Sequence, residues 1–263
     1  MHANPFDRYH AANSPLHHLE ARPKVVATLL FVFSCLLLPD AAWMGFALSW
    51  GLVLALSVWS RLGVGYILKR SFVALPFALA AVTVLFHLPG EAVFTLHVGP
   101  WHLVASDAGV ARFLSILARS WLSVQMAILL VATTPFPDLM HAMRHLHMPQ
   151  VIVSIVAFMY RYLFVLADET LRLLRARESR SARLDGRTSG GSLRWRAQVA
   201  GNMAGQLFLR SYERSDRVYN AMLARGYQGE LLTMHPHTLR PMDWWFGVGV
   251  TLFLLLVQWI GRW

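Results

Sequence analysis

Residues 149–186 read PQVIVSIVAFMYRYLFVLADETLRLLRARESRSARLDG, a stretch that begins apolar and ends charged. Proline fits the first turn of a helix, so the segment reads as one long helix opened by Pro149. Its first half is almost wholly apolar, and from Asp168 onward arginines and carboxylates take over. Such a helix starts buried against a membrane body and emerges into water or onto a partner. Ser189-Gly190-Gly191-Ser192 interrupts it, and Ser192 is placed to cap a second helix over about 193–225. Val199, Met203, Leu207, Arg210 and Arg214 mark the turns of that second helix. Gly226 follows Arg225 as a C-terminal cap, which leaves a cation where the helix dipole favours one.

The rest of the chain says what this helix pair belongs to. Of 263 residues, 56% are hydrophobic and only 14% charged, and this places the protein in the membrane class. The net charge of +10 could suggest nucleic acid, but the basic residues follow a membrane pattern rather than a soluble basic face. No nucleic-acid partner is expected. The single cysteine, Cys35, lies in an apolar run and reads as a small buried hydrophobe, which excludes a disulfide framework and a cysteine metal site. The first 20 residues are polar, contain four histidines and lack a signal-peptide core.

Five apolar segments stand out, at about 24–38, 42–59, 71–88, 109–133 and 243–261. A bilayer core of about 30 Å needs about 20 helical residues, so the first is short, cut by Pro39-Asp40. Pro76 is expected to kink the third. Arg22 and Lys24 precede the first segment, Arg61, Lys69 and Arg70 join the second to the third, and the connection 89–108 has no Lys or Arg. The positive-inside rule then puts the N-terminus in the cytoplasm and the C-terminus outside. The expected organisation is a four-span region over 1–134, a cytoplasmic or interfacial helical region over 135–241 and a last span over 242–263. Val93–Val98 before Gly99-Pro100 reads as one arm of a short hairpin in the outer loop. The fold class is all-α and polytopic, with about five transmembrane helices and two long cytoplasmic ones.

Charge within this frame singles out a few residues. Between 161 and 240 there are 14 Arg against 7 acidic residues, an excess that suits a positive-inside face near anionic lipid. Lipid attraction does not explain two long helices that each end in an arginine flanked by small residues, Ser179-Arg180-Ser181 and Ala224-Arg225-Gly226. Small neighbours let a helix end sink into a groove while one guanidinium reaches carboxylates in a fork. Arg119, mid-way along the fourth apolar segment, is expensive in lipid and is expected to face the protein interior, as is Arg161. Snorkelling towards the interface is the alternative for Arg119.

Several chemistries are missing. The only lysines, Lys24 and Lys69, lack the glycine pattern of a phosphate-binding loop, so the chain is not itself a P-loop ATPase. No G-x-S-x-G elbow occurs. Histidines cluster at His17-His18, at His141, His145 and His147, and at His235 and His237. His141 and His145 share a helix face, so a membrane di-metal oxidoreductase built on His17, His18, His141, His145 and His147 is the competing reading. A lipid-binding scaffold is the third.

Four ordered stretches decide between them: DRYHAANSPLHHLEARPKVV from Asp7, TTPFPDLMHAMRHLHMPQVI from Thr133, FMYRYLFVLADETLRLLRARESRSAR from Phe158 and ERSDRVYNAMLARGYQG from Glu213. Together they resemble the transmembrane coupling component of energy-coupling-factor transporters, in its cobalt-transport (CbiQ) branch. The resemblance covers roughly residues 6–260 and implies a non-catalytic subunit of an ATP-driven importer for cobalt or nickel in a prokaryotic inner membrane. It implies a dimeric ABC-type ATPase, a substrate-specific membrane subunit and a small accessory membrane subunit as partners. No cofactor or metal site is implied on this chain, ATP being held by the ATPase. In that family two helices each end in an arginine-centred motif, commonly Ala-Arg-Gly, that docks in an ATPase groove. Ala224-Arg225-Gly226 fits it fully. Ser179-Arg180-Ser181 departs from it, leaving Arg177 and Arg183 as alternative centres for the first contact.

Overall fold

A computed structural model describes residues 9–10, 12–85, 92–98, 101–180, 192–229 and 240–263; for 75, 77–79, 92–98 and 101–105 it describes the backbone alone. In chain order the elements are α1 (Pro15–His18), α2 (Ala21–Leu37), α3 (Trp43–Trp59), α4 (Val64–Ser71), a 3-10 turn (Phe72–Ala74) and α5 (Leu75–Leu85). Strands β1 (Ala92–Val98) and β2 (Trp101–Ser106) follow, then α6 (Asp107–Thr133), α7 (Phe136–His145), α8 (Gln150–Arg180), α9 (Leu193–Ala224) and α10 (Pro241–Ile260). They form two compact units, one of residues 1–146 with 235–263 and one of 147–234.

The first unit is organised around α6, against which α2, α3, α4 and α5 pack. Phe31 and Cys35 of α2, Val53 of α3, Leu122 and Met126 of α6, and Leu254 and Val257 of α10 are all buried in one apolar cluster. Cys35 is thus the core residue the sequence suggested. The opposite face of α2, at Leu29, Phe33, Leu36 and Leu37, is equally apolar and yet exposed. A helix that is apolar all round and bare on one side is suited to lipid rather than water.

Several buried hydroxyls of this unit are satisfied within their own helices, as a low-dielectric surrounding favours. Ser49 Oγ donates to Gly45 O at 2.8 Å, Ser71 Oγ to Ile67 O at 2.7 Å and Thr133 Oγ1 to Leu129 O at 2.8 Å. These i−4 bonds keep hydroxyls inside their own helices. Between helices, Gln258 Nε2 donates to Ser34 O at 2.6 Å, locking α10 onto α2.

Among the described residues, three helices are long and apolar enough to cross a membrane: Asp107–Thr133, Gln150–Arg180 and Pro241–Ile260, with Trp43–Trp59 a shorter apolar helix. The second of these is a departure from expectation, because α8 falls in the region assigned to the cytoplasm. Length and composition alone single out α8, because its first half is apolar wherever the helix lies. The segment expected at 71–88 also differs. It is divided into the end of α4, the 3-10 turn and α5, with Pro76 in the first turn of α5. Pro76 has no N–H for the carbonyl of Phe72, four residues back, so the α-helical ladder gives way to the 3-10 turn just before it, at the place where a kink is expected.

β1 and β2 pair antiparallel, Val98 opposite Trp101 and Leu96 opposite Leu103, so the hairpin exists. Its expected turn, Gly99-Pro100, lies outside the described residues, as do Ser181, Arg183, Ser189-Gly190-Gly191, His235 and His237.

Candidate functional site

Ser192 caps α9 as expected, its Oγ accepting from Trp195 N at 3.4 Å. The other end of α9 is closed with more care. Arg225 is the last half-helical residue, and Gly226 turns into the left-handed region at φ 81. Tyr227 N donates to Met222 O and Gly226 N to Leu223 O, each at 3.0 Å. This is a Schellman motif, and glycine takes the left-handed position after the C-cap at no steric cost. Its consequence is positional: the chain reverses directly after Arg225, so the arginine stands at a blunt tip. Ala224, Arg225 and Gly226 are all exposed, and no described residue pairs with the Arg225 guanidinium.

Arg180 is the last residue of α8 and is also exposed. Ser179 Oγ donates back to Ala176 O at 3.0 Å, leaving a short neighbour folded against its own helix. Arg177 lies three residues earlier and is less exposed than Arg180. With Ser181 and Arg183 outside the described residues, the register of this first motif is carried by Arg180 and Arg177 alone.

How the two tips are arranged was not legible in sequence. Arg210 of α9 donates to Glu169 of α8 at 2.5 Å, and Arg172 Nη1 lies 4.0 Å from the other Glu169 oxygen. An open apolar groove of about 600 Å³ runs between the helices, lined by Ile155, Phe158 and Tyr162 on α8 and by Tyr212, Tyr219 and Met222 on α9. The groove lies N-terminal to Glu169 on one helix and C-terminal to Arg210 on the other, so the two run in opposed directions. Arg180 is eleven residues beyond Glu169, and Arg225 fifteen beyond Arg210. At 1.5 Å per residue these tips stand about 16 Å and about 22 Å from the bridge, on opposite sides of it. The pair therefore carries Arg180 and Arg225 at opposite ends, both exposed. Its flanks also carry uncovered Leu171, Phe208, Tyr212 and Tyr219.

Arg119 belongs to a different structure. Its Nη2 donates to Leu38 O at 2.7 Å and to Asp40 Oδ1 at 2.8 Å, clamping the turn between α2 and α3. Arg112 Nε lies 3.8 Å from the other Asp40 oxygen, and Ser115 Oγ accepts from Ala41 N at 2.9 Å. Arg161 is exposed on α8, so the interior position expected for it is not provided by its own unit.

His17, His18, His141 and His145 are each held by other contacts. His17 Nε2 donates to His10 O at 3.0 Å and its Nδ1 accepts from Ser14 Oγ at 2.7 Å. His18 Nε2 meets Asn13 Oδ1 at 2.7 Å, and the rings of His141 and His145 pack edge-on at 4.7 Å. Arg22 Nη2 lies 3.5 Å from His141 Nε2, an unfavourable neighbour for a cation. Among the described residues no three His, Cys, Asp or Glu side chains converge to hold a metal, and the di-metal reading gains no support.

A profile of the cobalt transport protein family CbiQ matches residues 12–236. The chain belongs to the CbiQ family. It is 31% identical over 263 residues to the energy-coupling factor transporter transmembrane protein EcfT of Thermanaerovibrio acidaminovorans, covering 95% of this chain and 92% of that one. Against the EcfT of Heliobacterium modesticaldum it is 28% identical over 270 residues, covering 96% of each. The cobalt transport protein CbiQ of Rhodobacter capsulatus is 31% identical over 155 residues, 58% of this chain and 61% of the relative. The protein is thus a membrane component of an energy-coupling-factor transporter, a machine of several subunits.

Proposed function

We propose that this chain is the coupling subunit of an ATP-driven cobalt or nickel importer, itself without catalytic activity, that links a dimeric ABC-type ATPase to a substrate-specific membrane subunit. The observation that carries the reading is the Arg225 tip: an uncovered guanidinium, between alanine and glycine, at a helix end held by a Schellman cap. Arg180 at the opposed end of the pair supplies the second contact, with Arg177 and Arg183 as alternates, so each ATPase subunit receives one tip. Closing the ATPase dimer on ATP changes the separation of its two docking grooves, and a stiff helix pair joined at Glu169–Arg210 converts that change into rotation of one helix against the other. ATP stays on the partner, and this chain holds neither cofactor nor cobalt.

The apolar groove between α8 and α9 is where the substrate-specific subunit, with a small accessory subunit beside it, takes up this motion. Charge supports keeping α8 on the cytoplasmic side. If its apolar half crossed the bilayer, the eight arginines between 172 and 196 would lie outside, against the positive-inside rule. The proposed topology accordingly has the N-terminus inside, residues 135–241 at the cytoplasmic face of a prokaryotic inner membrane, and the C-terminus outside. The competing cost is the bare apolar surface of α8, which a protein partner or the membrane itself must cover.

Arg225→Glu tests this. The variant should reach the membrane in normal amount, lose ATPase subunits on purification and lose ATP-dependent metal uptake. Retained association and uptake in Arg225→Glu would overturn the assignment.

A further inference from the structure

Across the first unit, α2 and α10 do not close on each other along their whole length. Towards one end they are locked by Gln258 and Ser34, with Val257 fully buried beneath. At the other end Glu20 N donates to Asp243 Oδ1 at 3.0 Å. Between these two closures lies a groove of about 450 Å³, almost entirely apolar, with Arg22 at its polar mouth and Leu30 and Leu252 at its far end. Its floor is made by small residues, Ala27 and Gly247, and a Cβ placed on Gly247 would meet no atom within 4 Å.

The groove has the length of one leaflet. Arg22 and Leu30 are eight helical residues apart, about 12 Å, which is close to half of a bilayer core of about 30 Å. A transmembrane partner helix would need a continuous face on both leaflets, and below Leu30 the two helices shut it out. The mouth is an interfacial position by its own chemistry: Trp244 and Trp245 are exposed there, and tryptophan marks the headgroup level. Arg22 Nε faces Glu20 Oε1 at 2.9 Å and Nη2 lies 3.5 Å from His141 Nε2, while the side chain remains partly exposed and Nη1 keeps both its N–H groups to offer. Asp243, the other charged residue lining the groove, is turned inwards, its oxygens taken by Glu20 N and by Arg240 N at 2.7 Å. An apolar slot one leaflet deep that ends in a partly exposed guanidinium matches a lipid phosphodiester carrying its own acyl chain.

We infer that the α2–α10 groove is a bound-phospholipid site, with one acyl chain over Gly247 and the headgroup phosphate on Arg22. This inference does not depend on the ATPase-coupling reading. It is tested on the full chain purified in a non-ionic detergent and titrated with a diacyl phosphatidylglycerol, with thermal unfolding and native mass spectrometry as readouts. The wild type should retain one lipid and unfold at a higher temperature when lipid is added. The Cβ of Gly247→Leu meets no atom within 4 Å and its side chain enters the groove, so the variant should match the wild type without lipid and lose the lipid-dependent rise. Arg22→Gln should need about tenfold more lipid, the loss of one charge-assisted hydrogen bond. An equal rise in Gly247→Leu overturns the site, and so does an equal rise with inorganic phosphate alone. A cysteine in place of Gly247 that cross-links to a co-purifying subunit would put a protein in the groove and overturn it as well.

Discussion

Asp243→Ala should weaken the first unit far more than its place near a chain end suggests. The carboxylate is only 3% exposed and accepts two backbone N–H groups, from Arg240 at 2.7 Å and from Glu20 at 3.0 Å. The first bond caps α10, and losing such a cap costs about 1 kcal/mol. The second ties the residue before α2 to α10, and stranding a buried N–H costs roughly 1–3 kcal/mol. Buried Lys24 also loses one of the two carboxylates, Asp138 and Asp243, that compensate its charge. The sum is about 2–4 kcal/mol. Unfolding of purified protein followed by circular dichroism should show a midpoint lower by several degrees. Asp243→Asn keeps one acceptor oxygen and should lose roughly half as much. An Ala variant within 0.5 kcal/mol of the wild type would refute the account of how α2 and α10 are joined.

Two other changes test local parts of the structure. Burial, helped by the charge of Lys24 and opposed by the bond to His10 O, holds the His17 pKa below its ordinary 6.5. The folded state then binds a proton less readily than the unfolded one, so stability is unaffected above about pH 6.5 and falls as the pH drops below it. His17→Gln should shrink that acid-side loss, measured as the difference in unfolding midpoint between pH 8 and pH 5; an unchanged difference contradicts the role given to His17. At Gly109 an added Cβ would stand 2.6 Å from the backbone oxygen of Leu85, where α5 ends against α6. Gly109→Val should therefore cost about 1–3 kcal/mol by overpacking, and a neutral result would contradict the close approach.

The parts of the fold that could be read from sequence were those set by length and punctuation. α6 and α10 fall within two residues of the apolar runs at 109–133 and 243–261, because runs of that length leave no other structure in lipid. α9 was bounded by Ser192 and Gly226, and both caps form. The interruption at Pro76 follows from its missing N–H, but the three-residue 3-10 turn that precedes it is not written in the sequence. The status of α8 was ambiguous for a deeper reason: apolar residues facing lipid and apolar residues facing a partner have the same composition. Arg119 could be placed on α6 but not joined to Asp40, since 79 residues separate them and only the packing of α2 on α6 brings them together. The Glu169–Arg210 bridge was hidden in the same way. Asp243 left a clearer signal, two residues after Pro241 at the opening of an apolar run, where an acidic side chain is a common cap.

One cross-link tests whether the α9 tip touches the ATPase. The chain has a single cysteine, Cys35, and it is buried, so a cysteine introduced at Ala224 would be the one accessible thiol. A short thiol-directed cross-linker applied to membranes carrying the assembled transporter should join Ala224→Cys to an ATPase subunit, with a yield that changes when ATP is added. If position 224 is labelled readily by a soluble maleimide yet never joins the ATPase, with or without ATP, the tip is not the point of contact.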